Sequence, residues 1–122
     1  MVTPAAGAVV LVWFPFPSAR LRTSSDLSQA KLRPAAVLAD AGRGDWILCQ
    51  ITSKPYADPR AITLVDASFA SGSLRVTSYA RPAKLFTANR NLMVAQVGKL
   101  KADSFRQIVE AVIGILRASL TP

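Results

Sequence analysis

Histidine is missing from the 122 residues. Its absence removes the usual general acid or base near neutral pH and the commonest metal ligand. Cysteine occurs once, as Cys49. A lone cysteine forms no intramolecular disulfide and cannot build a cysteine zinc site. It lies in "DWILCQIT", with Ile47 and Ile51 two residues away on either side. That is the setting of a buried, inert thiol, since no histidine is there to activate it. Glutamate also occurs once, at Glu110, and the six aspartates lack the paired spacing of a metal site or a carboxylate dyad. Neither a metal nor a cofactor is expected. Long apolar runs are missing too. "GAVVLVWFPFP" is too short for a membrane span and lacks the preceding basic residues of a secretory signal. It reads as a first strand, and the protein is expected to be cytoplasmic.

What remains is strongly basic. The net charge is +8, and arginine outnumbers lysine ten to five. Charge of this kind serves solubility, but excess arginine also suits phosphate, because its planar fork of donors matches phosphate oxygens. A length of 122 residues with 51% apolar content fits one domain, over residues 1–122, with a modest core.

Short β-like runs fill the first hundred residues. They are 8–16, 34–40, 45–52, 61–66, 73–79, 83–87 and 92–100, and the turn "AGRG" makes the second and third a hairpin. "FASGS" reads as another turn. Arg-Pro-Ala occurs twice, at 33–35 and 81–83. Proline lacks a ladder donor and holds the preceding residue extended, so each copy reads as a strand entrance. The end is different. Phe105, Ile108, Val109, Val112 and Leu116 recur at helical spacing, with Asp103 or Ser104 as candidate cap and Arg117 in the last turn. The fold class is therefore mainly β with a C-terminal helix packed on a small barrel or a strongly bent sheet.

Two loops carry candidate ligand groups. Residues 17–31 form a long connection holding Arg20, Arg22 and Lys31, which suits a phosphate-binding flap. Residues 53–60 hold two prolines together with Lys54, Tyr56 and Arg60. This loop is either a rigid polar turn or a place to stack a base and hold a phosphate. Strand parity sorts "DWILCQIT". Ile47, Cys49 and Ile51 share one face, while Trp46, Leu48, Gln50 and Thr52 share the other. Thr52 ends the strand on the second face, where its hydroxyl can reach a ligand.

Taken in order, "GAVVLVWFPF", "DLSQAKLRPAAVLAD", "DWILCQITSK", "SYARPAKLFTAN" and "VGKL" resemble the MazF/PemK family of bacterial toxins. The resemblance spans nearly the whole chain. Its most specific part is Lys-x-Arg-Pro-Ala followed by the strand ending Ile-Thr-Ser. It implies an SH3-like barrel of the MazF/CcdB/Kid kind, usually a homodimer. It implies an endoribonuclease that cuts single-stranded RNA without metal, blocked by a cognate antitoxin. By position, Arg33 and Thr52 match the family's catalytic arginine and threonine. Arg20, Arg22, Lys31, Ser53, Lys54, Tyr56, Arg60 and Arg81 then become candidate RNA-binding residues, with Arg81 mainly structural. Two features depart from the family pattern: Ala8 follows Gly7 where an acidic residue is usual, and "SARLRTSS" lengthens the loop before Lys31. Two other readings share the fold. A CcdB-like gyrase poison relies on a C-terminal Trp-Gly-Ile, whereas this sequence ends "ASLTP". The other is a non-catalytic RNA-binding barrel.

Overall fold

The computed structural model describes residues 2–14 and 31–121. Among these residues, seven strands and one α-helix follow in chain order: β1 (Ala8–Phe14), β2 (Lys31–Gly42), β3 (Asp45–Thr52), β4 (Ile62–Leu64), β5 (Phe69–Gly72), β6 (Ser78–Asn89), β7 (Met93–Leu100) and α1 (Ala102–Ala118). They form one sheet in the order β4-β6-β3-β2-β1-β7-β5, and every neighbouring pair is antiparallel.

The sheet curls. Leu64 on β4 and Phe69 on β5 belong to opposite ends of the strand order, yet they share one buried cluster with Val9 and Cys49 from its middle. Ile108 of α1 joins that cluster, so the helix covers the same face. A second cluster, with Val10, Val12, Ala35, Val37 and Leu48, lies on the opposite face. Burial on both faces explains why β1 reads as an almost continuous apolar run rather than an alternating one. The expected mainly β fold with a C-terminal helix is what the chain adopts, as a curled half-barrel.

Particular elements differ from expectation. β2 and β3 form the hairpin, with Gly42 opposite Asp45. Arg43 and Gly44 form its two-residue loop, both at positive φ (60° and 82°), as a type I′ turn requires. "FASGS" is not a turn, and residues 73–77 are not a strand. Phe69 is buried and packs its ring over Gly98, so apolar burial outweighs the small, turn-favouring residues beside it. Gly72 has φ +67°, and a Cβ there would lie 2.2 Å from the Val97 carbonyl oxygen.

Neither Arg-Pro-Ala opens a strand. Arg33 is the third residue of β2, and Pro34 lies one position beyond the last β2–β3 pair, Ala35 with Gln50. Arg81 and Pro82 lie inside β6. Their ladder with β3 jumps from Leu85–Cys49 to Ala80–Ile51, so residues 81–84 form an interruption. Proline is tolerated in both places because the ladder asks no donor of it there.

Lys101 is the N-cap of α1, and neither Asp103 nor Ser104 caps it by a side chain. The backbone Lys101 N–H donates to Ser68, and the Lys101 carbonyl already accepts from Phe105, so the helix starts directly off β7. Ile108 is fully buried, whereas Ile113 and Leu116 are 40% and 63% exposed. Val112 and Ile115 are half-buried, but Leu116 is not covered, contrary to the expectation that the whole stripe packs on the sheet. Among the described residues, no helix is long and apolar enough to cross a membrane.

Candidate functional site

The end of the β2–β3 ladder brings Arg33 and Thr52 together. Ala35 pairs with Gln50, Ala36 with Cys49 and Val37 with Leu48. Carried two residues further, that register would set Arg33 across from Thr52, on the face of Ala35, Val37 and Leu48. These three are fully buried in one core cluster. Past the last pair the strands open, and two adjoining cavities of about 270 and 340 Å³ occupy the opening. Arg33, Ile51, Thr52 and Tyr56 line both.

The surroundings of the pair are basic. Lys31 lines the first cavity and Lys54 the second, and among the described residues no acidic side chain lines either. Among the described residues the one ion pair is Arg81–Asp58, and Arg33, Lys31 and Lys54 have no ion-pair partner there. Thr52 is held by a local turn: its Oγ1 accepts the Lys54 backbone N–H at 3.1 Å. The accepted bond fixes the oxygen and leaves the hydroxyl hydrogen to donate to a ligand. Positive charge beside an oriented hydroxyl, in an open cleft, suits a phosphodiester. No three His, Cys, Asp or Glu side chains gather as a metal site among the described residues.

The other candidates divide. Ser53 joins Lys54 in the second cavity, and Tyr56 forms a wall common to both. Arg60 lines neither; it is exposed, and its backbone N–H donates to Asp58 Oδ1. Arg81 also lines neither and is bonded to Asp58. Arg20 and Arg22 lie outside the described residues.

The same architecture appears in known proteins. A family model, PemK-like, MazF-like toxin of type II toxin–antitoxin system, matches residues 5–116. The chain belongs to this family. No curated protein is detectably similar to it in sequence. Among solved structures, a MazE–MazF complex from Deinococcus radiodurans is similar at a TM-score of 0.70 and 22% identity, covering 95% of this chain and 97% of that one. MazF alone from the same organism gives 0.70 and 21%, over 95% and 98%. An endoribonuclease in complex with its cognate antitoxin, from a mycobacterial species, gives 0.66 and 12%, over 95% of each chain. At these identities the likeness concerns the fold.

Within this PemK/MazF-type fold, sequence reading missed several wall residues. Gln50 and Phe14 line the first cavity, and Leu74, Val76 and Ser78 line the second. Gln50 was accessible by parity, since it shares a face with Thr52. Leu74 and Val76 come from the segment between β5 and β6, and nothing local in their sequence signals that they reach the site.

Cys49 lies behind the site, fully buried. Burial pushes its thiol up to about 12, against a smaller lowering by the Arg81 backbone N–H. At pH 8 only about 10⁻⁴ of such a thiol is ionised. Iodoacetamide should therefore leave Cys49 unmodified in the folded protein and label it fully in denaturant. Mass spectrometry after an hour at pH 8 reads the difference.

Proposed function

We propose that this toxin-family protein is a metal-independent endoribonuclease that cuts single-stranded RNA and is neutralised by a cognate antitoxin. The observation that carries the reading is that Arg33 and Thr52, from different strands, line the same two cavities beside Lys31 and Lys54, with no acidic lining among the described residues. RNA supplies its own nucleophile. The 2′-oxygen bonds to the adjacent phosphorus, the bond from phosphorus to the 5′-oxygen breaks, and the products end in a 2′,3′-cyclic phosphate and a 5′-OH. One proton leaves the 2′-OH and one reaches the departing 5′-oxygen. The protein's task is to align the attack and stabilise the added phosphate charge. Arg33 does the second with paired N–H donors, since arginine keeps its proton in almost any protein environment. The Thr52 hydroxyl donates to a nonbridging oxygen. Lys31, Ser53 and Lys54 hold flanking phosphates, and Tyr56 offers a base a stacking surface.

The partners follow the same reasoning. Two of the similar structures are complexes of a toxin with its antitoxin. An antitoxin segment rich in acidic groups would oppose Arg33 and its basic neighbours here. A homodimer would join two such clefts into one channel. Trp13 and Leu32 face each other across β1 and β2, each about two-fifths exposed, and give such a contact apolar material. Cytoplasmic location is part of the same proposal, since that is where messenger RNA lies.

A 2′-O-methyl RNA tests the reading. It keeps the phosphates and blocks the nucleophile, so it should bind and stay intact. With three phosphate contacts, from Arg33, Lys31 and Lys54, affinity should fall by about 2 log units per log of salt, at roughly 0.7 per contact. A flat salt response would remove nucleic acid as the partner.

A further inference from the structure

One charged cluster beside the cleft takes no part in the chemistry above. Arg81 lines neither cavity. Its Nε donates to Asp58 Oδ2 at 3.1 Å, with side chains 18% and 9% exposed. The other carboxylate oxygen accepts the Arg60 backbone N–H at 2.9 Å. The same guanidinium lies over the Tyr56 ring, with its central carbon 5.1 Å from the ring centroid. The base of Arg81 is fixed as well: Pro82 is fully buried and confines the preceding residue to extended backbone.

Tyr56 needs such a support. It is 59% exposed, so burial does not place its ring. Tyr56 and Ala57 both have φ +51°, a conformation that side-chain-bearing residues adopt only when their surroundings enforce it. Within the loop, Asp58 N–H donates to the Pro55 carbonyl and Ala61 N–H to the Asp58 carbonyl. Among the described residues, the Arg81 contacts with Asp58 and Tyr56 are the side-chain links from this turn to β6.

We infer that Arg81 is a positioning residue: through Asp58 and the face of Tyr56 it latches the 53–60 loop to β6, so that Tyr56 stands as the shared wall against which an RNA base stacks. This rests on the reading of the cleft as an RNA site. The Arg60 N–H and then Arg81 hold the Asp58 carboxyl below the usual carboxylate range, so the latch carries its full charge at neutral pH.

The test separates a latch from a direct phosphate contact by the sign of one variant. Asp58→Asn keeps the acceptor for Arg60 but releases the Arg81 cation. If Arg81 held RNA itself, this variant would bind the 2′-O-methyl RNA more tightly. The latch predicts weaker binding, by about tenfold for both Asp58→Asn and Arg81→Gln, the low end of what one lost base stack costs. Arg81→Lys should recover part of the loss. Tyr56→Ala should lose about as much, and adding Arg81→Gln to it should cost nothing further, because both act through one ring. Additive losses, or tighter binding by Asp58→Asn, would overturn the inference.

A second arm needs no RNA. Lys54 and Arg81 each precede proline and resist trypsin, so cleavage after Arg60 reports the loop. Arg81→Gln and Asp58→Asn should speed that cut about fivefold or more, consistent with local opening. An unchanged rate would overturn the latch. If the parent protein binds no RNA, the cleft reading fails, and the trypsin arm alone decides whether the latch exists.

Discussion

Arg33→Lys is expected to lower RNA cleavage by about 10²–10³ while leaving the fold intact. Lysine keeps the charge but offers a point cation, whereas the guanidinium presents two parallel N–H bonds to a phosphate. Affinity for uncleavable RNA should therefore fall much less than the rate. Arg33 is exposed and has no ion-pair partner among the described residues, so the melting temperature should barely move. Thr52→Ala should show the same split between rate and binding, and Thr52→Ser should recover part of the rate. Single-turnover cleavage, RNA titration and thermal unfolding of the same preparations measure all three quantities. An Arg33→Lys variant as fast as the parent would remove Arg33 from the chemistry.

Gly72→Ala should cost about 3 kcal/mol of stability or more, roughly a hundredfold in the folding equilibrium. The added Cβ would lie 2.2 Å from the Val97 carbonyl oxygen and 2.6 Å from the Gly98 Cα, and both are backbone. β7 cannot step aside, because Gly98 also pairs with Val9 of β1 and the Val97 oxygen accepts the Ser73 N–H. The positive φ adds strain that glycine alone escapes. Gly114→Ala is the counterpart. It lies mid-helix with open space where the Cβ would go, and alanine there should stabilise by about 0.5–1 kcal/mol. Urea unfolding midpoints distinguish the two. Equal midpoints would mean that β5 does not press on β7 as described.

The fold was legible wherever a segment's own pattern decides its state. β3 matched its expected limits because apolar and turn signals agree at both ends, and the glycine turn before it set the hairpin. Legibility failed where distant contacts override local chemistry. Phe69 turns a glycine- and serine-rich stretch into a strand by packing over Gly98 of β7. The two Arg-Pro pairs read as strand starts, because a single sequence cannot reveal that a ladder is interrupted beside them. At the site, Thr52 and Gln50 followed from parity within one strand. The Arg81–Asp58 pair joins residues 23 apart, and no spacing rule connects them. Arg81 was visible as a basic residue before proline, but its partner was not.

The central claim is that RNA's own 2′-OH is the nucleophile and Arg33 its electrostatic partner. Incubating the purified protein with a long single-stranded RNA in excess EDTA tests it most directly, with Arg33→Lys purified in parallel. The account predicts fragments bearing a 2′,3′-cyclic phosphate and a 5′-OH, formed at discrete sites and nearly absent with Arg33→Lys. RNA left intact in EDTA, or the same fragments at the same rate from both proteins, would contradict it.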